Sequence, residues 1–240
     1  MKLWPIVIFA LTSIATTPAE KIDFEEVEPF PELEPKTIEG KVALHFKPQL
    51  FIKPIRKSCH APYPAVNAEG DTSKGIKVPF VRCWGSPLGS QIYGRMVEYE
   101  GYVAIMYAFY FPKDAILLVR VHDWEYAIVW LDSLSVDAKV LAVSTQDTLT
   151  HETYHAPFPG YLDGPNFKLD YTRVYRAQHR LVATAERGTA HNLVMWEDMT
   201  EKAREALNKS DFWLTSVPIN DDHFQGFVEE CFPFKRKAEQ

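Results

Sequence analysis

The chain has 240 residues, 46% apolar, 13% aromatic and 24% charged. That is enough to bury one core of ordinary size, and it excludes a disordered chain or a miniprotein held by disulfides alone. With 26 basic and 32 acidic residues the net charge is -6, which excludes a nucleic-acid binder, or an anionic-membrane binder acting through bulk charge.

Lys2, the apolar run Leu3 to Leu11, and the small residues around Ala15 and Ala19 have the three parts of a secretory leader. The run is too short to span a bilayer. Residues 1–19 are therefore predicted to be a signal peptide and the mature chain to be extracellular. Residues 20–39 carry eight carboxylates against Lys21 and Lys36, with Pro29, Pro31 and Pro35 among them. This segment reads as an extended arm or pro-segment that buries too little apolar surface to fold. A single domain is expected over residues 40–234, followed by a basic tail, 235–240.

Within that domain Val42 to Phe46 reads as a short helix stopped by Pro48. Cys59 and Cys83 flank a turn-rich stretch holding Pro62, Pro64, Gly70 and Gly75. Outside the cell a thiol pair tends to be oxidised. Three cysteines allow three single bridges, and the sequence does not choose between them. Bridging Cys59 to Cys83 would close a loop of about 25 residues, worth roughly 3.5 kcal/mol in the chain-entropy account, and would leave Cys231 as a buried thiol.

Tyr102 to Phe111 is apolar on both faces, rich in aromatics and followed by Pro112, which marks a central strand. Trp124 to Leu131 repeats the pattern; Val136 to Val143 and Arg180 to Ala185 are a third and a fourth strand. Strands covered on both faces without regular intervening helices indicate a sandwich. Met199, Ala203, Ala206 and Leu207 fall on one face of a helix. Asn208-Lys209-Ser210 is a glycosylation acceptor by pattern and an ordinary helix end by position. Trp213 and the Phe158 to Tyr161 loop have two readings, contact with lipid or core packing, of which core packing is the expectation.

The chemistry concentrates in Phe111-Pro112-Lys113-Asp114 and His122-Asp123-Trp124-Glu125. Strand alternation puts Asp123 and Glu125 on one face, with Asp114 at the end of the neighbouring strand beside them. Three carboxylates and the His122 imidazole meeting there would suit a hard divalent cation held partly through water; the plainer alternative is a polar rim at two strand ends. His151 and His155 lie four apart, but Pro157 and Pro159 mark a loop rather than a zinc-binding helix face. The sequence has no Gly-x-Ser-x-Gly, phosphate loop or dinucleotide fingerprint.

The run Ala104 to Asp114 followed by His122-Asp123-Trp124-Glu125 resembles the signature of the necrosis- and ethylene-inducing peptide-like proteins, secreted by oomycetes, fungi and some bacteria. The resemblance extends over most of residues 42–232, through Cys59-His-Ala-Pro-Tyr-Pro, Gly89 to Arg95, Gln178-His179, Leu193 to Trp196 and Val217 to Asp221. It implies a single-domain, actinoporin-like β-sandwich with flanking α-helices, a Cys59–Cys83 bridge and no enzymatic activity. It also implies cytolysis of eudicot plasma membranes, through a divalent cation (Mg or Ca) and the sugar head group of glycosyl inositol phosphoryl ceramide. By position, Asp114, Asp123, Glu125 and His179 would be the cation ligands and His122 and Trp124 part of the signature. His151 would be the histidine of a family His-Gly-x-Tyr element in which Glu152 replaces the glycine. A monomer is expected. A non-cytolytic member, acting as an interaction protein or detected by a plant pattern receptor, is the competing reading, and a metal-dependent hydrolase built on Asp114, Asp123 and Glu125 a minor one.

The chain departs from the family heptapeptide Gly-His-Arg-His-Asp-Trp-Glu, having Val119-Arg120-Val121-His122-Asp123-Trp124-Glu125. The loop after Asp114 is also short and apolar. Arg120 stands where the family has a histidine, and its charge would repel a divalent ion by about 6 kcal/mol at roughly 5 Å and an effective dielectric near 20. A quarter of that is still about a tenfold loss of affinity. The expectation is that Arg120 pairs with Asp114 or Asp123 and takes the cation's place.

Overall fold

The computed structural model describes residues 19–54, 59–78, 81–114, 120–147, 150–173, 178–213 and 215–235. The leader, the apolar loop after Asp114 and most of the basic tail lie outside them. In chain order the elements are β1 (Lys21–Ile22), α1 (Ile38–His45), β2 (Gln49–Phe51), β3 (Thr72–Ser73), β4 (Ile92–Tyr99), β5 (Tyr102–Asp114), β6 (Arg120–Leu131), β7 (Val140–Gln146), β8 (His151–His155), β9 (Leu162–Asp163), β10 (Asn166–Arg173), β11 (His179–Ala183), β12 (Leu193–Met195), α2 (Glu201–Lys209) and α3 (Phe224–Glu230).

The strands form a β-sandwich. One sheet runs β12-β4-β5-β6-β7-β8, the other β11-β10-β2 with β9 on β10, and β1 pairs with β3 in a small parallel ladder. At the centre, β5 and β6 pair antiparallel from Val103–Leu131 to Asp114–Arg120, and Val103 to Asp114 is buried without interruption. Such a run needs cover on both faces. On one face Trp124, Tyr126 and Trp130 pack against Phe212, Phe227 and Phe232 of the C-terminal segments. On the other, Phe111 stacks on Tyr171 of the second sheet, ring centroids 3.8 Å apart. Each large apolar side chain so buried stabilises the fold by about 1.5–3 kcal/mol.

Several expectations are met. Cys59 and Cys83 are bridged, and the Cys231 thiol is buried 3.6 Å from the Tyr126 hydroxyl. Ala203, Ala206 and Leu207 are buried along α2 and Met199 just before it; the helix N-terminus is capped by the Thr200 hydroxyl accepting from the Ala203 N–H. The first helix begins earlier than Val42, because Thr37 caps it by accepting from Gly40.

Others are corrected. Pro112 does not stop β5, because residue 112 has no ladder partner on β6 to lose; its carbonyl accepts from the Ile76 N–H at 2.7 Å. The third strand starts at Val140 rather than Val136, since a bonded turn joins the Asp132 N–H to the Lys139 carbonyl. Residues 20–39 are not a loose arm. Phe24, Val27 and Phe30 recur every third position and are buried, the Phe30 N–H donates to Gln91, and Glu32 pairs with Lys47 at 2.6 Å. Phe158 is in the core as expected, but Trp213 is 61% exposed and holds φ at +63°, a conformation unusual for a bulky side chain.

Candidate functional site

Asp123 and Glu125 project from β6 toward the second sheet, because alternation gives that face to 123 and 125. The Tyr171 hydroxyl, arriving from β10, donates to Asp123 Oδ2 at 2.7 Å. Tyr171 is the middle ring of a stack, with Phe111 on one side and His179 on the other at 3.8 and 4.6 Å. His179 grips Asp114 twice: its backbone N–H donates to Oδ2 at 3.3 Å and Nδ1 lies 2.7 Å from Oδ1. Asp114, Asp123, Glu125 and His179 are all buried.

Three carboxyl groups in one dry region disfavour one another's ionisation. Burial, and then the nearby Asp114 charge, push Asp123 up from an ordinary 3.8 to about 7, against the Tyr171 bond and the Arg120 charge. Glu125 is raised well above the carboxylate range by burial and then by Asp123 and Asp114. Its Oε2 is buried without a hydrogen-bond partner among the described residues.

These groups open on a cavity of about 410 Å³ lined by Arg120, Asp123, Glu125, Gln178, His179 and Arg180, with Trp124, Gln146, Asp147 and Thr215 completing the wall. Arg180 bonds Asp147 at 2.7 Å on the rim. Arg120 therefore faces the acidic groups, as expected, but without pairing directly. Among the described residues it makes no ion pair within 4.0 Å, because His179 already occupies Asp114 and Tyr171 occupies Asp123. Its charge acts through space, favouring the ionised forms of both Asp123 and Glu125.

The donors as placed do not fit a divalent cation held by this chain alone. Among the described residues no three His, Cys, Asp or Glu side chains are grouped so as to hold one, His179 Nδ1 is engaged by Asp114, and Arg120 lines the same cavity. Among the described residues Glu125 Oε2 is left in this wall without a hydrogen-bond partner.

Of the other sequence candidates, His122 does not join the carboxylates. At φ +69° it turns to the other side of β6, its Nδ1 2.7 Å from the Tyr110 hydroxyl, and burial with the Lys21 charge lowers it to about 4. His151 begins β8 opposite Gln146, outside the cavity wall, with Nδ1 buried and unpartnered among the described residues. The Trp124 indole packs against Tyr93, Tyr110 and Phe212. Asn208 is a helix-end tie, its amide donating to Asp221 at 2.7 Å and its carbonyl accepting from the Asp221 N–H. Tyr171 went unrecognised in the sequence, because nothing local in Leu169-Asp170-Tyr171 shows that its hydroxyl meets a strand 48 residues away.

The description "Necrosis inducing protein (NPP1)" belongs to the family model that matches residues 40–231. NLP effector protein 8 of Plasmopara viticola is 40% identical over 220 residues, covering 89% of each chain. Two solved structures share the fold. The non-toxic HaNLP3 protein has a TM-score of 0.83 and 37% identity over 88% of this chain and 99% of its own. NLPPya in complex with glucosamine has a TM-score of 0.82 and 35% identity over 90% of this chain and all of its own. The agreement extends from Gly40 to Cys231 and takes in both strands that carry the buried carboxyl groups, so the chain belongs to the necrosis-inducing protein family.

Proposed function

We propose that this chain is a secreted effector that works at the plant plasma membrane as a binding protein rather than an enzyme, taking the sugar head group of glycosyl inositol phosphoryl ceramide into the Arg120–Glu125 cavity. The observation that carries this reading is the cavity itself. Its wall alternates hydrogen-bond acceptors (Asp123, Glu125, Asp147) with donors (Arg120, Gln178, Arg180), and a polyhydroxyl ring needs both. The unpartnered Glu125 Oε2 adds one buried acceptor for a ligand hydroxyl or ammonium. NLPPya, which shares the fold, has been solved with glucosamine and with mannosamine.

In this reading Arg120 supplies the positive charge at the cavity mouth and no Mg or Ca ion is needed for the head group to bind. A second reading, a non-cytolytic member, is favoured by the same Arg120 and by the likeness to the non-toxic HaNLP3 protein. Vesicles of phosphatidylcholine and sterol, with and without plant glycosyl inositol phosphoryl ceramide and loaded with dye, separate the two. Co-sedimentation with the glycolipid vesicles in EDTA is the expected result. Dye release alongside it makes the chain a cytolysin, and binding without release makes it non-lytic. Absence of binding in EDTA and in Mg alike would overturn the head-group assignment.

A further inference from the structure

A second cavity, of about 490 Å³, lies on the opposite side of β6 from the acidic one. It is lined by Lys21, Lys74, Lys77, Val121, His122, Asp211 and Trp213. Three ammonium groups face one carboxylate there, a net charge of +2 in a protein whose total is -6. Lys21 donates to the Asp211 carbonyl at 2.8 Å. Among the described residues the Lys74 and Lys77 ammonium groups have no hydrogen bond or ion pair.

The position of these lysines is built rather than incidental. β1 lies parallel to β3, pairing Lys21 with Thr72, and the Lys74 N–H donates to the Ile22 carbonyl. Gly75, at φ +64°, lets the loop lie on β6: a Cβ there would come within 2.6 Å of the Val121 side chain and 2.8 Å of the His122 ring. Ile76 is buried and its N–H donates to the Pro112 carbonyl. Lys74 and Lys77 therefore emerge from a backbone pinned on both sides.

The aromatic wall is equally specific. Phe212 is buried edge-on against Tyr110, His122 and Trp124. Its neighbour Trp213 is turned outward at φ +63°, with its N–H donating to Asp211 Oδ1. An indole left 61% exposed in a costly backbone conformation marks a contact surface rather than a core position. Val78, next to Lys77, is also more than half exposed.

We infer that this face is a second, basic–aromatic site that takes the phosphate group of a membrane lipid, with Lys74 and Lys77 on the phosphate oxygens and the Trp213 indole at the boundary between head groups and acyl chains. Lysine is a point-charge partner for phosphate, and tryptophan is favoured where one side of a ring is apolar and the other wet. A free phosphate ester offers the same anion but gives the indole no interface.

Vesicles of phosphatidylcholine with and without phosphatidic acid test this, since neither lipid carries a sugar. Failure here leaves the head-group reading of the acidic cavity standing, and Lys74→Gln/Lys77→Gln, which leaves that cavity untouched, separates the two sites on glycolipid vesicles as well. The wild type is expected to bind the phosphatidic acid vesicles, and Lys74→Gln/Lys77→Gln to bind them about 10–30-fold more weakly, from roughly a three- to fivefold effect per surface lysine. Brominated acyl chains should quench wild-type fluorescence more than that of Trp213→Tyr. Both variants alter exposed side chains, and unchanged thermal midpoints confirm their folding. Equal binding by wild type and double variant overturns the site. Binding of inorganic phosphate by the wild type with no binding to the phosphatidic acid vesicles overturns the lipid assignment.

Discussion

Asp123 is held neutral by its surroundings at a pH where an exposed carboxyl would be ionised, and replacing it with asparagine makes the consequence measurable. The unfolded chain releases this proton near 3.8 and the folded chain near 7. Between those values the folded state holds more protons than the unfolded one, so stability falls as pH rises. At about 1.4 kcal/mol per unit the gap is somewhat over 4 kcal/mol in full, of which about 2–3 kcal/mol is lost between roughly pH 5 and pH 8. Asp123→Asn keeps the shape and an oxygen to accept from Tyr171, but has no proton to lose. It should be more stable than wild type above about pH 6, by a margin that widens toward pH 8. Urea unfolding of both proteins across this range, with the disulfide intact, gives the difference directly. If wild type gained stability relative to Asp123→Asn as the pH rose, the carboxyl would be acting as a paired anion and the account of this site would be wrong.

Arg120→Ala removes the nearby positive charge, so Asp123 and Glu125 should become still harder to ionise. Carboxyl-carbon NMR titration should show both midpoints moving up relative to wild type, and unchanged midpoints would remove Arg120 from the charge balance. Tyr171→Phe keeps the ring stack but strips Asp123 of its donor. A destabilisation of about 1–3 kcal/mol by urea unfolding is expected, larger at alkaline than at acid pH because the lost bond favours the ionised carboxylate. Replacing Cys59 and Cys83 by serine opens a loop of 24 residues' separation and should cost roughly 3.5 kcal/mol; Cys231→Ser should leave non-reducing mobility as it is.

What the sequence made legible was whatever is set by neighbours along the chain. Tyr102 to Phe111 and Trp124 to Leu131 announce a doubly covered pair of strands because both of their faces are apolar, and the spacing of Asp123 and Glu125 fixes them on one face. β10 escaped because Lys168 and Asp170 interrupt its pattern; Lys168 is nonetheless buried, its ammonium donating to the Ala185 carbonyl. β4 escaped because Gly94 and Arg95 weaken it as a strand. Gly94 is there because a Cβ would meet Met195, and Arg95 because it lies over Trp196 and Phe224 while pairing with Asp221. The acidic N-terminal segment was misjudged by composition: its carboxylates face solvent while every third residue docks. Trp213 was misjudged because hydrophobicity speaks for the core, whereas a positive φ leaves no trace in residue type. In the site, the meeting of Asp114, Asp123 and Glu125 was legible from strand alternation, and the place of His179 from the resemblance. Their engagement with Tyr171, and with Arg120 through space, required the second sheet to be laid over the first.

The turn of the backbone at His122 has a consequence for how mutational scans of this segment should be interpreted. Consecutive residues of β6 serve opposite faces of the sheet: His122 looks toward three lysines and an indole, and Asp123 toward carboxyls and a guanidinium. Alanine replacements marched along His122 to Glu125 would therefore sample the basic cavity at His122, the aromatic packing at Trp124 and the acidic cavity at Asp123 and Glu125. Phenotypes at His122 should differ in ligand and salt dependence from those at Asp123 and Glu125, and pooling them as one motif would average away both.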